Sequence, residues 1–214
     1  MRKICFLFLV FALSNSVFAD TVSDKEKDAL IKIYHATNGG EWKVKWDLTS
    51  SVSAWFGVEI NNGKVVGLNL SNNNLKGELP SAIGSLKHLE ILALFDNQIG
   101  GALPDSLYEI SNLKVLLLNN NKFSGSLSYK IRNFNVLENL SLFDNSFEGE
   151  IPKELENLNH LSEMNLSYNR FKGSVSKKLT LLDALNMTMF DQKGNPFLLD
   201  VNEEKEIINN STVN

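Results

Sequence analysis

The 214-residue sequence contains few side chains suited to catalysis, and they are not grouped as a catalytic site requires. Its three histidines, His35, His88 and His160, have no nucleophile, paired carboxylate or metal-ligand spacing beside them. The single cysteine, Cys5, lies in an apolar N-terminal run. The sequence therefore predicts a protein that is not an enzyme and that carries no cofactor and no metal.

One short segment, Asp144 to Gly149, has the acidic and amide side chains found in calcium-binding loops. A calcium loop of that kind needs a glutamate at its twelfth position, where this sequence has Leu155. Asn145 also belongs to a regular series of asparagines that is described below. We therefore expect no calcium site here.

The first 19 residues have the pattern of a secretory signal peptide. Arg2 and Lys3 precede an apolar run over 4–13, and Val17 and Ala19 place small side chains at the cleavage positions. The run is too short to span a bilayer, and no later stretch approaches the ~20 apolar residues of a membrane helix. We expect an exported protein without a membrane span, located in the periplasm, on the cell surface or outside the cell.

Removal of residues 1–19 would change both charge and redox chemistry. It takes Arg2 and Lys3 from the 21 basic residues, leaving 19 against 25 acidic ones and a net charge of −6. Such a surface disfavours nucleic acid as a partner. It also removes the only cysteine, so an exported domain would rely on its hydrophobic core, which favours a bacterial source.

A 24-residue period organises most of the remaining chain. Apolar residues recur at this interval: Val65, Leu89, Leu113, Leu137, Leu161 and Leu185. The first five are each followed by apolar residues at the third and fifth positions, an asparagine at the eighth and a glycine at the twelfth. The asparagines are Asn73, Asn97, Asn121, Asn145 and Asn169. Apolar positions that recur in this way favour a solenoid in which successive coils share one core.

Each residue type that recurs within the period has a physical role in such a coil. The alternating apolar residues predict a short strand. An asparagine amide can bond the backbone where the chain leaves that strand, so the five asparagines would form a structural ladder. Pro80, Pro104 and Pro152 keep the following segment extended. Ser128 and Ser176 replace proline in two repeats, and we expect those two outer turns to be less rigid.

The segment 92–107, with Asn97, Gly101 and the pair Leu103 and Pro104, resembles the plant-type leucine-rich repeat. The resemblance implies an α/β solenoid, a right-handed coil with a parallel β-sheet on its concave face. Plant receptor ectodomains, polygalacturonase inhibitors and many exported bacterial proteins use this fold. It implies five 24-residue repeats over 65–184, a C-terminal capping repeat over 185–201 and a polar tail over 202–214.

Residues 20–64 form the predicted N-terminal cap. Ser23 and Glu26 make a capping box at the start of an amphipathic helix, which Asn38 and two glycines end. Asn62 and Gly63 predict a β-hairpin. All the tryptophans, Trp42, Trp46 and Trp55, lie here. We interpret them as a hydrophobic lid on the first coil, as in the tryptophan-containing cap of the family, with an aromatic platform for sugars as the alternative.

The concave face is the predicted binding surface, because strand side chains that alternate with the inward leucines point to it. Phe95, Leu117 and Phe143 have no structural need to face solvent there. The predicted partner-binding residues are Asn69, Ser71, Phe95, Asp96, Leu117, Asn119, Phe143, Asp144, Asn165 and Tyr168. Neighbouring outward positions include Ala93 and Ser167. The leading hypothesis is a module for binding another protein.

Three alternatives to this hypothesis remain. Duplication of one repeat alone explains why Phe95-Asp96 and Phe143-Asp144 recur two coils apart. The columns of Asn and Ser, as at Asn69, suit a polysaccharide or ice, and the resemblance also allows an inhibitor of an extracellular glycan-degrading enzyme. Six strands about 13 Å long give only about 400 Å² of face, so a protein partner would also contact the adjoining loops.

Overall fold

The computed structural model describes residues 22–176, 189–190, 196–197 and 200–202. The predicted signal peptide over 1–19 lies outside these residues. Most of the predicted capping repeat over 185–201 and of the tail over 202–214 also lies outside them. The boundaries of these segments therefore stay predictions.

The described chain begins with a helix, α1 (Asp24–Ala36). The Ser23 hydroxyl accepts a hydrogen bond from the Glu26 backbone N–H and donates one to the Glu26 carboxylate. The other carboxylate oxygen of Glu26 accepts from the Val65 backbone N–H at 3.2 Å. Glu26 thus both completes the capping box and attaches α1 to the first repeat. Asn38, at φ 58°, takes the left-handed conformation directly after the helix.

Fifteen short strands follow among the described residues, and most of them belong to two sheets. In chain order they are β1 (Val58–Asn61), β2 (Lys64–Asn69), β3 (Lys76–Glu78), β4 (Ile91–Ala93), β5 (Gln98–Gly101), β6 (Val115–Leu117), β7 (Lys122–Gly125), β8 (Asn139–Ser141), β9 (Ser146–Glu150), β10 (Glu163–Asn165), β11 (Arg170–Lys172), β12 (Ser174–Ser176), β13 (Met189–Phe190), β14 (Pro196–Phe197) and β15 (Asp200–Asn202).

The concave sheet has the order β1-β2-β4-β6-β8-β10. Its last five strands are parallel, and residues 24 positions apart pair, as in Leu92 with Leu116. The edge strand β1 runs antiparallel to β2, joined through Asn62 and Gly63, both at positive φ, as the hairpin signal predicts. The predicted solenoid with a parallel concave sheet and a helical N-terminal end is confirmed.

A second parallel sheet, the outer sheet, has the order β11-β9-β7-β5-β3. This sheet was not predicted from the sequence. Its inward side chains extend the core, where Phe147 stacks on Phe123 and on Phe171 with ring centroids 6.1 and 6.2 Å apart. Each outer strand ends at or beside a glycine with φ between 73° and 114°, a conformation in which a side chain would be strained.

The outer turns are short 3-10 helices over Ser81–Ser85, Asp105–Glu109, Tyr129–Asn133 and Lys153–Asn157. The residue before each one is extended, which proline favours at Pro80, Pro104 and Pro152. Ser128 adopts nearly the same backbone angles without a proline ring, φ −77° and ψ 144°. Its hydroxyl accepts from the Lys130 N–H, and its own N–H donates to the Tyr108 hydroxyl. The turn is therefore held by hydrogen bonds that replace the ring.

The described C-terminal strands pair outside the concave sheet. β12 runs parallel to β15, and β13 pairs antiparallel with β14. The estimate of the binding face from the sequence assumed six concave strands. Within the described residues the sixth strand is β1, from the N-terminal end.

The three tryptophans are buried in the same core cluster as the first-coil leucines. Trp46 stacks on Trp55, with ring centroids 4.8 Å apart, and meets Trp42 edge to face. Each indole N–H donates to a backbone carbonyl, from Thr37, Phe56 or Asp47. With relative exposures of 2–4%, these rings offer no face to a sugar, so the aromatic-platform alternative is wrong.

Candidate binding face

Asparagines fix the end of each concave strand. The Asn145 amide donates to Leu118 O and Leu142 O at 2.9 and 3.1 Å, and its oxygen accepts from the Phe123 N–H at 3.0 Å. Asn97, Asn121 and Asn169 make equivalent bonds between adjacent coils. Asn73 instead bonds the backbone of Val44 in the N-terminal segment. These bonds hold the concave face in a fixed register.

The residue before each of these asparagines adopts the left-handed conformation. The residues of this left-handed row have φ between 51° and 56°: Asn72, Asp96, Asn120, Asp144 and Tyr168. Asn and Asp tolerate this region better than other side chains, so their recurrence has a backbone cause that the sequence analysis did not recognise. Tyr168 is the exception, because a bulky residue is strained there.

The predicted partner-binding residues differ in exposure. Asn69, Asp96, Asp144 and Asn165 are exposed. The other six are half-buried: Ser71, Phe95, Leu117, Asn119, Phe143 and Tyr168. The neighbouring outward positions Ala93 and Ser167 are buried, at 3% and 5% relative exposure. Thus alternation along a strand predicts the direction of a side chain but not how much of it solvent reaches.

Two apolar residues on this face were missed from the sequence. Ile91 is 38% exposed, and its strand neighbour Val115 is half-buried. Leu117 follows two residues after Val115 and is on the same face. We call Ile91, Val115 and Leu117 the apolar patch. The available signal was the residue two places after the first leucine of each repeat, which is apolar in the second and third coils and polar in the fourth and fifth.

A polar hollow adjoins the apolar patch on the side of β8 and β10. It has a volume of about 300 Å³ and is lined by Leu117, Asn119, Asn139, Ser141, Glu163 and Asn165 above Leu140 and Met164. The Asn139 amide donates to the Glu163 carboxylate across its floor. The concave face therefore places a hydrophobic area next to amides and one carboxylate.

Several polar groups of the face are already bonded within it. The Asn69 side-chain oxygen accepts from the Ser71 N–H and hydroxyl, and that of Asn165 accepts from the Ser167 N–H. The Asn120 amide donates to the Asp96 carboxylate. These bonds use acceptors that a ligand would otherwise contact.

Charged residues flank the strands at their starts. The Lys114 ammonium lies 2.6 Å from the Glu90 carboxylate, whose hydrogen bond and charge raise the pKa of Lys114, as does the charge of Glu138. Asp96, Asp144 and Glu163 add carboxylates to the same face. The unpaired charge on the concave face is thus mainly negative.

Catalytic and metal-binding groupings are not observed in the described part of the chain. His35, His88 and His160 are exposed and lie on α1 and on the convex turns. Among residues 22–176 and the short described strands, no three His, Cys, Asp or Glu side chains come close enough to hold a metal ion. No helix within those residues is long and apolar enough to cross a membrane.

A family comparison agrees with this geometry. The family model described as "Leucine-rich repeat region" matches residues 67–188, more than half of the chain. The chain belongs to the leucine-rich repeat family. The matched region begins after the tryptophan-containing segment, so kinship of that segment with the family's N-terminal caps stays a prediction.

Curated relatives of this leucine-rich repeat protein come from plants. The leucine-rich repeat receptor protein kinase EMS1 of Arabidopsis thaliana is 36% identical over 91 residues, 42% of this chain and 8% of that protein. Polygalacturonase inhibitor 1 of Arabidopsis thaliana is 27% identical over 93 residues, 42% of this chain and 28% of that protein. The chain therefore spans less than a third of these relatives, and they give the suggested bacterial source no support.

Solved structures show the same fold. The leucine-rich repeat ectodomain of the receptor kinase SOBIR1 from Arabidopsis thaliana superposes with a TM-score of 0.69 at 24% identity, over 85% of this chain and 98% of that chain. A plant ice-binding protein also gives a TM-score of 0.69, at 22% identity, over 84% of this chain and 57% of that one. At these identities the likeness establishes the fold alone.

Proposed function

We propose that this protein is an exported, non-enzymatic scaffold that binds a protein or peptide on its concave face. The observation that carries the proposal is the apolar patch of Ile91, Val115 and Leu117, side chains that remain accessible on a sheet whose opposite face is fully packed. Apolar surface of this kind, bordered by polar residues, is typical of interaction sites. The partner-binding set is then Ile91 and Val115 together with the residues predicted from the sequence.

The size of the face limits the contact. In the concave sheet, each parallel strand after β2 has three residues, about 10 Å of chain, so these strands alone present a few hundred Å². A standard protein interface uses about 800 Å² on each side. The partner must therefore also cover the polar hollow and the left-handed row, or bind as a short extended segment.

Recognition of a polysaccharide or of ice has weaker support. The Asn69 and Asn165 side-chain oxygens are occupied by their own serine neighbours, so the Asn and Ser columns present fewer acceptors than the sequence suggests. Inhibition of an extracellular glycan-degrading enzyme differs only in the identity of the protein partner. It rests on the similarity to the polygalacturonase inhibitor over 42% of the chain.

The proposal is tested by capture of extracellular proteins from the source organism on the immobilised exported chain. The double variant Ile91→Ser and Leu117→Ser removes apolar contact from the concave face of the second and third coils. It should lose the specifically captured partner, because truncation of central apolar contacts weakens binding most.

The matched control is Gln98→Ser with Lys122→Ser, which changes exposed residues of the outer sheet in the same two coils. Circular dichroism checks that both double variants keep the fold. Equal capture by wild type and by the concave variant, or loss restricted to the outer-sheet variant, would show that the concave face is not the binding surface.

A further inference from the structure

The C-terminal margin of the concave face has a grouping that occurs nowhere else in the described chain. The rings of Phe143 and Tyr168 meet edge to face, with centroids 5.0 Å apart and planes at 69°. Backbone hydrogen bonds join the Asp144 segment to the Tyr168 segment. The Asp144 N–H donates to Ser167 O, and the N–H of the next residue, Asn145, donates to Tyr168 O. We call Phe143, Asp144 and Tyr168 the aromatic corner. We propose that the aromatic corner binds a basic side chain, Arg or Lys, of an extended peptide segment.

Tyr168 differs in residue type from the other members of the left-handed row. The equivalent residues of the four preceding coils are Asn or Asp, which accept φ near 55° with little strain. A tyrosine held at φ 56° is disfavoured by its backbone. Its presence there places an aromatic ring where the other coils have a short polar side chain, and that ring packs on Phe143.

The duplicated Phe-Asp pair provides an internal comparison. Asp96 follows Phe95 in the second coil, but its carboxylate accepts a hydrogen bond from the Asn120 amide of the next coil. For Asp144, in the fourth coil, the corresponding residue of the next coil is Tyr168, whose side chain has no amide. Within residues 22–176, no side-chain donor bonds the exposed Asp144 carboxylate. The two Phe-Asp pairs therefore lie in different environments, and of the two carboxylates only that of Asp144 is available to a ligand.

The chemistry of the aromatic corner matches a cation. Aromatic faces attract ammonium and guanidinium groups, most strongly when a carboxylate beside them bonds the same group. Guanidinium also stacks on aromatic rings while it donates in a plane, which favours Arg over Lys. The surrounding charge is of the right sign, because Glu138, Asp144 and Glu163 are exposed on the fourth and fifth coils.

The apolar patch fixes a second point of contact, and this step rests on the proposed function. Leu117 pairs with Ser141, and Phe143 follows two residues later. Strand geometry therefore separates Leu117 and Phe143 by about 8 Å, from about 4.8 Å across the sheet and about 6.6 Å along it. An extended peptide covers that distance in two to three residues. The partner segment should carry an aliphatic residue two or three positions from Arg or Lys.

The test is a selection of random nine-residue peptides displayed on phage against the immobilised exported chain. Peptides kept by the wild type should contain Arg or Lys two or three positions from an aliphatic residue several-fold more often than the unselected library. A peptide from that pool, synthesised with a fluorescent label, then reports affinity for variants by anisotropy. Retention of peptides without enrichment of basic residues would overturn the inference.

Asp144→Asn and Tyr168→Asn should each weaken that peptide about tenfold, as should replacement of its basic residue by Gln. Asn already occupies the Tyr168 position in two other coils, at Asn72 and Asn120, so the fold tolerates it. The charge-matched control is Glu148→Gln, in the same coil but exposed on the outer sheet, with an effect below about twofold. Equal effects of Asp144→Asn and Glu148→Gln would show that only net charge matters and would overturn the inference.

The two proposals fail in different ways. If selected peptides depend on Ile91 and Leu117 but not on Asp144 or Tyr168, concave binding stands and the aromatic corner is not the cation site. If selected peptides bind the Ile91→Ser, Leu117→Ser variant as well as the wild type, the concave-face proposal fails first.

Discussion

Single asparagines stabilise this solenoid because each one bonds two successive coils. Asn145 is 4% exposed, and its side-chain hydrogen bonds go to backbone groups of the third and fourth coils. A hydrophobic substitute would fill the space but leave these buried groups unpaired. Each unpaired buried group costs about 1–3 kcal/mol.

We therefore expect Asn145→Ala to lower the free energy of unfolding by about 3 kcal/mol. The measurement is the urea midpoint, with the slope of the transition checked for equality with wild type. Asn119→Ala is the matched control, because Asn119 is half-exposed and lies two residues along the chain from a ladder asparagine. It should change stability by less than about 0.5 kcal/mol. Similar losses in the two variants would contradict this role for Asn145.

Residue-level prediction from the sequence worked where one cause decides a position. The leucine and asparagine positions follow from burial and from the strand exit, and both are visible as a period. The left-handed row was predicted only as part of the binding face, and the backbone preference of Asn and Asp for that conformation was not recognised from the sequence. Ile91 and Val115 were missed, and the outward position Ala93 is buried, because exposure depends on the bulk of side chains in neighbouring coils.

At the scale of elements, the outer turns depend on pairs of coils. Tyr108, in the 3-10 helix of the second coil, is 1% exposed and accepts a hydrogen bond from the Ser128 N–H that begins the next turn. Proline at that position would have no such donor. The tyrosine therefore supports the turn whose proline is missing.

This buried hydroxyl predicts a dependence of stability on alkaline pH. Burial raises the pKa of Tyr108 above its ordinary value of 10.0, the nearby charge of Asp105 adds to the rise, and the Ser128 hydrogen bond opposes it. The unfolded chain then loses this proton at lower pH than the folded chain. The contribution to stability is full below pH 10 and is lost as pH rises towards the folded-state pKa.

The unfolding free energy of Tyr108→Phe should therefore fall less steeply above pH 10 than that of the wild type. The measurement is urea unfolding between pH 8 and 11.5, a range of about one to two units around the ordinary pKa. Hydrogen bonds to Asp105 and Glu90 raise the pKa of Lys130 and Lys114, and both lysines are present in variant and wild type alike. The relevant quantity is thus the difference between variant and wild type. Parallel pH profiles would contradict burial of the Tyr108 hydroxyl.

Elements differed in how far the sequence predicted them. α1 and the β1–β2 hairpin have local signals, a capping box and an Asn-Gly turn, and both form. The outer sheet was missed because three- to five-residue strands interrupted by glycine are too short for a periodic signal. Its strands pair only because the neighbouring coils are already in register.

For the whole molecule, the fold is a stack of coils closed at its N-terminal side by α1 and three buried tryptophans. Glu26 bonds the first concave strand, and Asn73 bonds the tryptophan-containing segment, so the cap and the repeats form one core. The family and the fold follow from the sequence period. The binding residues do not, since the period fixes which way side chains point and leaves their chemistry free.

Among the described residues, large exposed apolar side chains lie in three regions, so a single footprinting experiment can show which region a partner covers. Among the described residues, the large ones above a third exposed are Val44, Phe56, Ile91 and Tyr129. Of these, only Ile91 lies on the concave sheet. Phe56 belongs to the cap, and Tyr129 lies on the convex side with Arg132 over its ring at 5.2 Å.

Hydroxyl-radical footprinting of the protein with its captured partner tests the central claim most directly. We predict that oxidation of Ile91, Leu117 and Phe143 falls on complex formation, while oxidation of Phe56 and Tyr129 stays at the level of the free protein. Protection of Phe56 or Tyr129 with unchanged oxidation of Ile91 and Leu117 would place the partner on the cap or the convex side and contradict binding on the concave face.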